Sequence, residues 1–400
     1  MALIADRLKD VKPSATLAVA AKARALKASG RPVLSLTTGE PNFETPLHIQ
    51  DAAIHAIRNG QTKYTDVGGT PALKQAIIAK FKRENNLDYT AEQIVVGVGA
   101  KHVLFNALFA SVNPGDEVVI PAPFWVSYPE MVTIAGGVPV IVACGEDVGF
   151  KLTADALEAA ITPKTKWLVL NSPNNPTGAM YSQEELQALA AVLVKHPHVY
   201  VMTDDMYEHL RFDGANYHTI AAIEPALYDR VLTVNGVSKA YAMTGWRIGY
   251  AGGPKELIKA MTMMQGQSTS NACAVAQAAA VEALNGEQLE VHKMTAEYER
   301  RRNMMADKIN AIAGLSVAPP AGAFYLYISC AGVLGKTTSS GKTLQTEADM
   351  VDYLLEEYNV AVVPGEAFGL SPYFRVTFAI SDDDIIEACE RMKNACENLR

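Results

Sequence analysis

Lys239 stands where an apolar run gives way to a turn. The segment Val231–Gly253 reads VLTVNGVSKAYAMTGWRIGYAGG, a strand-like stretch followed by small residues, with Arg247 eight positions beyond the lysine. A lysine at the end of a buried strand loses hydration. Desolvation favours the neutral amine, and a neutral amine can form a Schiff base with an aldehyde. Alone, such a lysine reads as an ordinary surface residue at a loop tip. Two further segments alter that balance. Trp167–Gly178 (WLVLNSPNNPTG) runs from apolar residues into a turn dense in Asn, Pro and Gly, and Val199–Tyr207 (VYVMTDDMY) ends in two aspartates and a tyrosine. Each is a strand feeding a loop. Three parallel strands that carry polar residues at their carboxyl ends form the mouth of an open α/β sheet. Asn175, Asp204, Tyr207 and Lys239 then converge on one crevice.

The chemistry that such a set suits is that of pyridoxal phosphate. Its aldehyde takes a lysine, its pyridine nitrogen a carboxylate and its phenolic oxygen hydrogen-bond donors. Its phosphate takes an arginine, hydroxyls and backbone amides. Lys239, Asp204, the pair Asn175 and Tyr207, and Arg247 fill those roles. On composition alone either Asp204 or Asp205 could be the ring partner. In extended backbone the two face opposite ways, so only one can serve. Ile94–Phe105 (IVVGVGAKHVLF) reads as strand, small-residue turn and helix start, where the amides of Gly99, Ala100 and Lys101 can cradle phosphate.

Across nearly all 400 residues the sequence resembles the fold-type I pyridoxal phosphate enzymes of the aspartate aminotransferase class. The motifs that carry the resemblance are KPSAT (Lys12–Thr16), GEPNF (Gly39–Phe43), KYT (Lys63–Thr65), PAPFWVSYP (Pro121–Pro129), NSPNNPTG (Asn171–Gly178), SKAYAMTGWRIGY (Ser238–Tyr250), VVPG (Val362–Gly365) and RVTFA (Arg375–Ala379). More narrowly, it is similar to the bacterial branch that includes enzymes also acting on prephenate. The resemblance implies a large domain built on a mostly parallel seven-stranded sheet sandwiched by helices, over residues 48–285. It also implies a smaller α/β domain over 286–400, with 1–47 as an arm and part of that smaller domain. The implied activity is reversible amino transfer from L-aspartate to 2-oxoglutarate, together with conversion of prephenate to L-arogenate.

Residue roles follow from the same resemblance. Lys239 is implied as the covalent cofactor lysine and general base, and Asp204 as the pyridine partner. Asn175 and Tyr207 are implied at the phenolic oxygen, Arg247 and Ser238 at phosphate, and Trp125 over the ring. Tyr64 would reach phosphate in the other subunit of a homodimer with shared active sites. Arg375 would clamp the α-carboxylate beside the Gly39 backbone, a task that suits a bidentate guanidinium. Lys101 would meet the distal carboxylate of a dicarboxylic substrate, and Lys12 and Thr16 would accompany prephenate use near the entrance. Four positions depart from the usual pattern: Asn42 replaces an aspartate, Asp205 a glutamate, Phe124 a tyrosine and Ala100 a glycine. The shorter Asp205 must reposition any salt bridge, and Phe124 leaves a hydrogen bond unmade near the cofactor.

The elements that hold these residues are legible in coarse form. Residues 1–30 read as mostly helical, and 48–84 as two helices around a turn at Gly68. Strands and helices alternate from 94 to about 255. Helices dominate from Pro254 to about Ile312, including the charged run Glu297–Ile309. Strands are expected at Ala323–Ile328, Val360–Val363 and Tyr373–Ala379, then a helix from Asp382. Ser329–Asp349 is polar and reads as a surface loop; its GKTTSSGK lacks the spacing of a nucleotide-binding P-loop.

Whole-chain numbers agree. A length of 400 residues predicts two domains. A net charge of −8 without a basic tract gives no electrostatic footprint for nucleic acid. Five scattered cysteines without a CxxC pair are expected as reduced thiols, with Cys389 and Cys396 on one helix face and no metal site. The N-terminal stretch is charged at 6, 7, 9, 10 and 12, unlike a signal peptide, and no 18-residue apolar stretch is free of charge. The partners expected are small molecules and a second copy of the chain, in the cytoplasm. Two rivals are a regulator that keeps the fold without catalysis, and a decarboxylase or lyase on the same fold. The first would need a DNA-binding module for which there is no spare length or charge.

Overall fold

The computed structural model describes residues 3–400. Its strands, in chain order, are β1 (Leu34–Ser35), β2 (Ile94–Val98), β3 (Glu117–Ala122), β4 (Val138–Ala143), β5 (Thr165–Asn171) and β6 (Tyr200–Asp204). They continue with β7 (Val231–Gly236), β8 (Ile248–Gly252), β9 (Tyr325–Ser329), β10 (Val360–Ala361), β11 (Val363–Pro364) and β12 (Tyr373–Thr377). Seven of them form one sheet in the order β2-β8-β7-β6-β5-β3-β4. All pairings in it are parallel except those of β8, which runs antiparallel to β2 and β7. Its central strands are largely apolar and almost wholly buried because helices cover both faces, so a period-2 burial pattern is absent.

The parallel run β5-β6-β7 delivers its carboxyl ends to one rim, as the three segments predicted. The turn before the helix Ala100–Ser111 lies on the neighbouring antiparallel pair, where β2 meets β8. The predicted helices around Gly68 are Leu47–Arg58 and Pro71–Asn85. The second begins with Thr70, whose hydroxyl accepts from the Leu73 amide, and Pro71 in the first turn.

A second, antiparallel sheet has the order β11-β12-β9. The helices Leu289–Asn310, Glu347–Tyr358 and Asp382–Glu397 pack around it and one another. Cys389 and Cys396 are both buried on the last of these, and all five cysteines are free.

Three details differ from the sequence expectation. Among the described residues before Ser14 there is only one turn of 3-10 helix, Asp6–Leu8, and the first long helix is Ala15–Ala28. The expected strand Val360–Val363 is split. Leu34–Ser35 pairs in parallel with Val360–Ala361, whereas Val363–Pro364 pairs with Phe374–Arg375. One short run therefore serves two sheets, which a single apolar stretch does not reveal. Finally, Ser329–Asp349 is not simply a surface loop. Cys330, Val333, Thr338, Leu344 and Glu347 are buried, and Glu347 opens a helix. Glu347 accepts from the Glu366 amide and the Ser371 hydroxyl, so polarity here marks internal hydrogen bonding.

Candidate active site

The rim where β5, β6 and β7 end encloses a cavity of about 270 Å³. Gly39, Ala100, Lys101, Trp125, Asn175, Asp204, Tyr207, Ser238, Lys239, Arg247 and Arg375 all line it, and so does Thr16. The topology thus gathers residues that lie up to 359 positions apart in the chain.

Each strand end fixes its functional group through local bonds. Asn171, the last residue of β5, donates to the Asp204 carbonyl at 2.8 Å and accepts from the Asn175 amide at 2.8 Å. That bond sets the loop carrying Asn175. Asp204 ends β6, buried, and its carboxylate accepts from the Tyr128 hydroxyl at 2.7 Å and the Met206 amide at 3.3 Å. Burial raises its proton affinity, and Tyr128, Met206 and Lys239 oppose that rise. A buried carboxylate aimed at a cavity suits a protonated ring nitrogen.

Asp205 faces the other way, so of the two aspartates Asp204 is the one on the cavity wall. It accepts from the Thr203 hydroxyl and is pushed up to about 7, first by burial and then by Glu208. Behind it, Glu208 meets the fully buried Lys80 and accepts from Asn85 and Asn235 at 2.7 and 2.9 Å. Glu84, Glu208 and His209 bring ligand-type atoms within 4.8 Å of one another, but the ammonium of Lys80 already supplies the cation there.

Lys239 follows β7 and donates to the Gly39 carbonyl. Burial lowers its pKa to about 8; Glu40 and Asp204 oppose the fall, whereas Arg247 and Arg375 add to it. About a tenth of the amine is then neutral at pH 7. Arg247 holds a left-handed backbone conformation, φ 57°, and donates to the Thr244 carbonyl at 2.8 Å. Its guanidinium occupies the space that a Cβ on Gly99 would fill, so glycine at 99 admits the arginine. The Gly99 amide, expected to cradle phosphate, instead donates to the Gly97 carbonyl at 2.9 Å. The first-turn amides of Ala100 and Lys101 remain for an anion at that helix end.

Arg375 is 3% exposed. It donates to Asn175 Oδ1 at 2.9 Å and the Thr37 carbonyl at 2.7 Å, while its Nε has no partner. Its guanidinium lies 4.4 Å from the Tyr325 ring centroid and 5.0 Å from that of Phe368. A buried donor left over on a rigid arginine beside a cavity suits an incoming carboxylate. The orphaned Nε, the Arg247 guanidinium seated on Gly99, the half-buried amine and the buried carboxylate fit pyridoxal phosphate together with an amino acid.

Besides Gly99, two predicted residues, Tyr64 and Lys12, lie outside this cavity. Tyr64 is 92% exposed and borders a different hollow, with Asn271 and Cys273. Lys12 is exposed; its backbone amide donates to Glu130 Oε2 at 2.8 Å, which anchors the chain there and leaves the side chain off the cavity wall. Phe124 corrects another expectation. Its ring packs against Gly369 and its amide donates to the Phe368 carbonyl at 3.0 Å, so its missing hydroxyl is not at the cavity. Asn42 accepts from Arg301 at 2.9 Å, and Glu297 and Asp382 supply the charge that an aspartate would have brought.

Tyr128 and Tyr325 are wall residues that sequence reasoning missed. Tyr128 lies three positions after Trp125 and meets it edge-on at 5.3 Å, a spacing visible in PAPFWVSYP. Tyr325 pairs with Thr377 and is thereby a diagonal neighbour of Arg375, a relation set by strand register alone. Its hydroxyl lies 3.0 Å from that of Tyr207.

Known proteins resemble this chain along nearly its whole length. The family described as "Aminotransferase class I and II" matches residues 31–392. A probable aspartate/prephenate aminotransferase of Rhizobium leguminosarum bv. phaseoli is 57% identical over 396 residues, covering 99% of each chain. The aspartate/prephenate aminotransferase of Cereibacter sphaeroides is 55% identical over the full length of both. The crystal structure of the aspartate aminotransferase from Rhizobium meliloti superposes with a TM-score of 0.98 at 53% identity, covering 100% of each chain. That of the Thermus thermophilus enzyme with maleate gives 0.92 at 42%, covering 99% of this chain and 100% of that one. The chain belongs to the class I and II aminotransferases, with the fold-type I architecture.

Proposed function

We propose that this protein is a pyridoxal phosphate-dependent aspartate aminotransferase that also transaminates prephenate. The observation that carries the substrate class is the placement of two cations, Arg375 and Lys101, on the wall of the cavity that holds the Lys239 amine. Two cations suit a dicarboxylic amino acid. The relatives named for aspartate and prephenate support the same choice.

Bound pyridoxal phosphate supplies an electron sink for the bond broken at the substrate Cα. The chain does the rest. Arg247, Ser238 and the amides of Ala100 and Lys101 hold the phosphate, and Tyr64 of a second subunit completes that site in a homodimer. Asp204, oriented by Tyr128, keeps a proton on the ring nitrogen, while Asn175 and Tyr207 face the phenolic oxygen. Trp125 covers the ring. Arg375, with the Gly39 backbone, orients the α-carboxylate. With the cofactor bound, Lys239 Nζ, partly neutral at pH 7, would be the base that takes the proton from Cα.

Residues 48–285 form the cofactor-holding domain in this proposal, 286–400 the smaller one, and 1–47 an arm and part of the smaller; the β1–β10 pairing supports the last assignment. A cytoplasmic setting accords with five free thiols. Among the described residues no helix is long and apolar enough to cross a membrane.

The test is turnover of aspartate with 2-oxoglutarate, and of prephenate with glutamate or aspartate as donor. Absence of arogenate would remove the second substrate and leave the first. Absence of aspartate turnover would remove the proposal. For the dimer, mixed subunits of Tyr64→Phe and Arg375→Ala should regain activity, because both defects can be confined to one site.

A further inference from the structure

We propose that Glu40 is a positioning residue for Lys239: clipped to the turn that carries Arg247, its carboxylate holds the Gly39 carbonyl against the lysine amine and supplies a counter-charge from the solvent side. This rests on the assignment of Lys239 as the cofactor lysine.

The segment after β1 is stitched to the turn after β7. Lys239 donates to the Gly39 carbonyl, and Thr244 donates to Glu40 Oε1 at 2.8 Å. Thr45 donates to the Ala242 carbonyl at 2.7 Å and accepts from Trp246 Nε1 at 3.1 Å. Only the Glu40 stitch brings a negative charge. It also joins the two key cations, since Thr244, which donates to Glu40, accepts from Arg247 through its carbonyl.

The charges facing Lys239 explain why one more carboxylate matters. Arg247, Arg375 and Lys101 share the cavity wall with it. Tyr207 and Tyr325 are phenols that burial keeps protonated. Asp204, whose proton affinity burial raises, already accepts from Tyr128 and Met206. Glu40 lies off the cavity wall and outweighs Asp204 in sustaining the proton affinity of Lys239. Its removal leaves the nitrogen among cations with one carboxylate fewer, so that nitrogen binds its proton less tightly.

The experiment is a spectral pH titration of the cofactor-loaded full chain. Absorbance shifts between ~360 and ~430 nm as the nitrogen on Lys239 takes up a proton. Glu40→Gln keeps an acceptor for Thr244 and removes the charge; the side chain is exposed, so the fold tolerates it. Its midpoint should fall by about half to one pH unit at low salt, and by less in about 1 M salt. Thr244→Val keeps the charge and removes the clip, and should shift the midpoint down by less than Glu40→Gln does. A merely structural residue would leave the midpoint where it is. A Glu40→Gln midpoint within about 0.2 unit of the parent, with borohydride still fixing cofactor to Lys239, would overturn the role of Glu40 and leave the cofactor assignment standing. An unmoved Thr244→Val midpoint would overturn the clip. Label on a different lysine, or no such absorbance, would overturn both the inference and the assignment beneath it.

Discussion

Arg375 and Lys101 are cations on one cavity wall, yet they are built differently. Arg375 is buried, bonded to Asn175 and Thr37 and flanked by two aromatic rings. Lys101 is exposed, and its ammonium lies 4.8 Å from the Trp125 ring centroid. Desolvation and then Arg247 lower its proton affinity. A rigid, planar donor set recognises a group that every substrate shares. A point charge on a flexible stem accommodates groups at different distances. In the proposed function, fixed recognition of the α-carboxylate and adaptable recognition of the side chain would be separated into two residues.

The most severe way to break this contrast is Arg375→Ala. It should lower kcat/KM for aspartate, glutamate and alanine alike, by about 2–5 kcal/mol or roughly 30- to several-thousand-fold. Steady-state kinetics on the three amino acids would check it, and a loss confined to dicarboxylates would reverse the assignment. Lys101→Ala should cost dicarboxylates about 1.5–3 kcal/mol, roughly 10- to 150-fold, and alanine far less. Equal losses would make Lys101 a support for the cofactor instead.

Proton affinity sharpens the comparison, because Arg375 is among the charges that hold Lys239 down. In the cofactor-free protein a lysine pKa of about 8, against 10.5 when unfolded, makes the unfolded state bind more protons between those values. Stability therefore rises with pH through that window, and the cost of the buried ammonium is complete below about 8. Lys239→Met should gain stability over the parent at pH 7 relative to pH 10, by roughly 1–3 kcal/mol in denaturant titrations. A gain independent of pH would mean that the methionine merely packs better. The smallest effect belongs to Lys12→Ala. With its side chain off the cavity wall, aspartate kinetics should hold, while prephenate kcat/KM falls about tenfold if the arm closes on that substrate. Parallel kinetics on prephenate and oxaloacetate would decide, and an unchanged ratio would retire Lys12.

What could be read from the sequence divides along similar lines. Lys239, Asp204 and Asn175 were legible because each lies at or just beyond the end of an apolar strand, so local pattern implies the position. Strand alternation required that only one of Asp204 and Asp205 face the crevice, but which one came from the family resemblance. Arg375 needed the family resemblance, because its own strand gives no sign of facing the cavity. Tyr325 was not legible at all, since only the β9–β12 register brings it beside Arg375. The two sheets served by Val360–Pro364 were hidden for the same reason: a short apolar run does not state its partners. Phe124 shows the opposite error, in which nearness to Trp125 in sequence suggested nearness to the cofactor.

The bonds from Arg375 to Asn175 and Thr37 have a mechanical meaning. Asn175 belongs to the loop after β5, Thr37 to the segment after β1, and Arg375 to β12. One guanidinium is therefore a pivot pin through three separate pieces of chain, with one donor still unengaged. A carboxylate that took that donor would be tied through one side chain to all three pieces. An amine of equal bulk without a carboxylate would fill the volume and leave the donor unengaged.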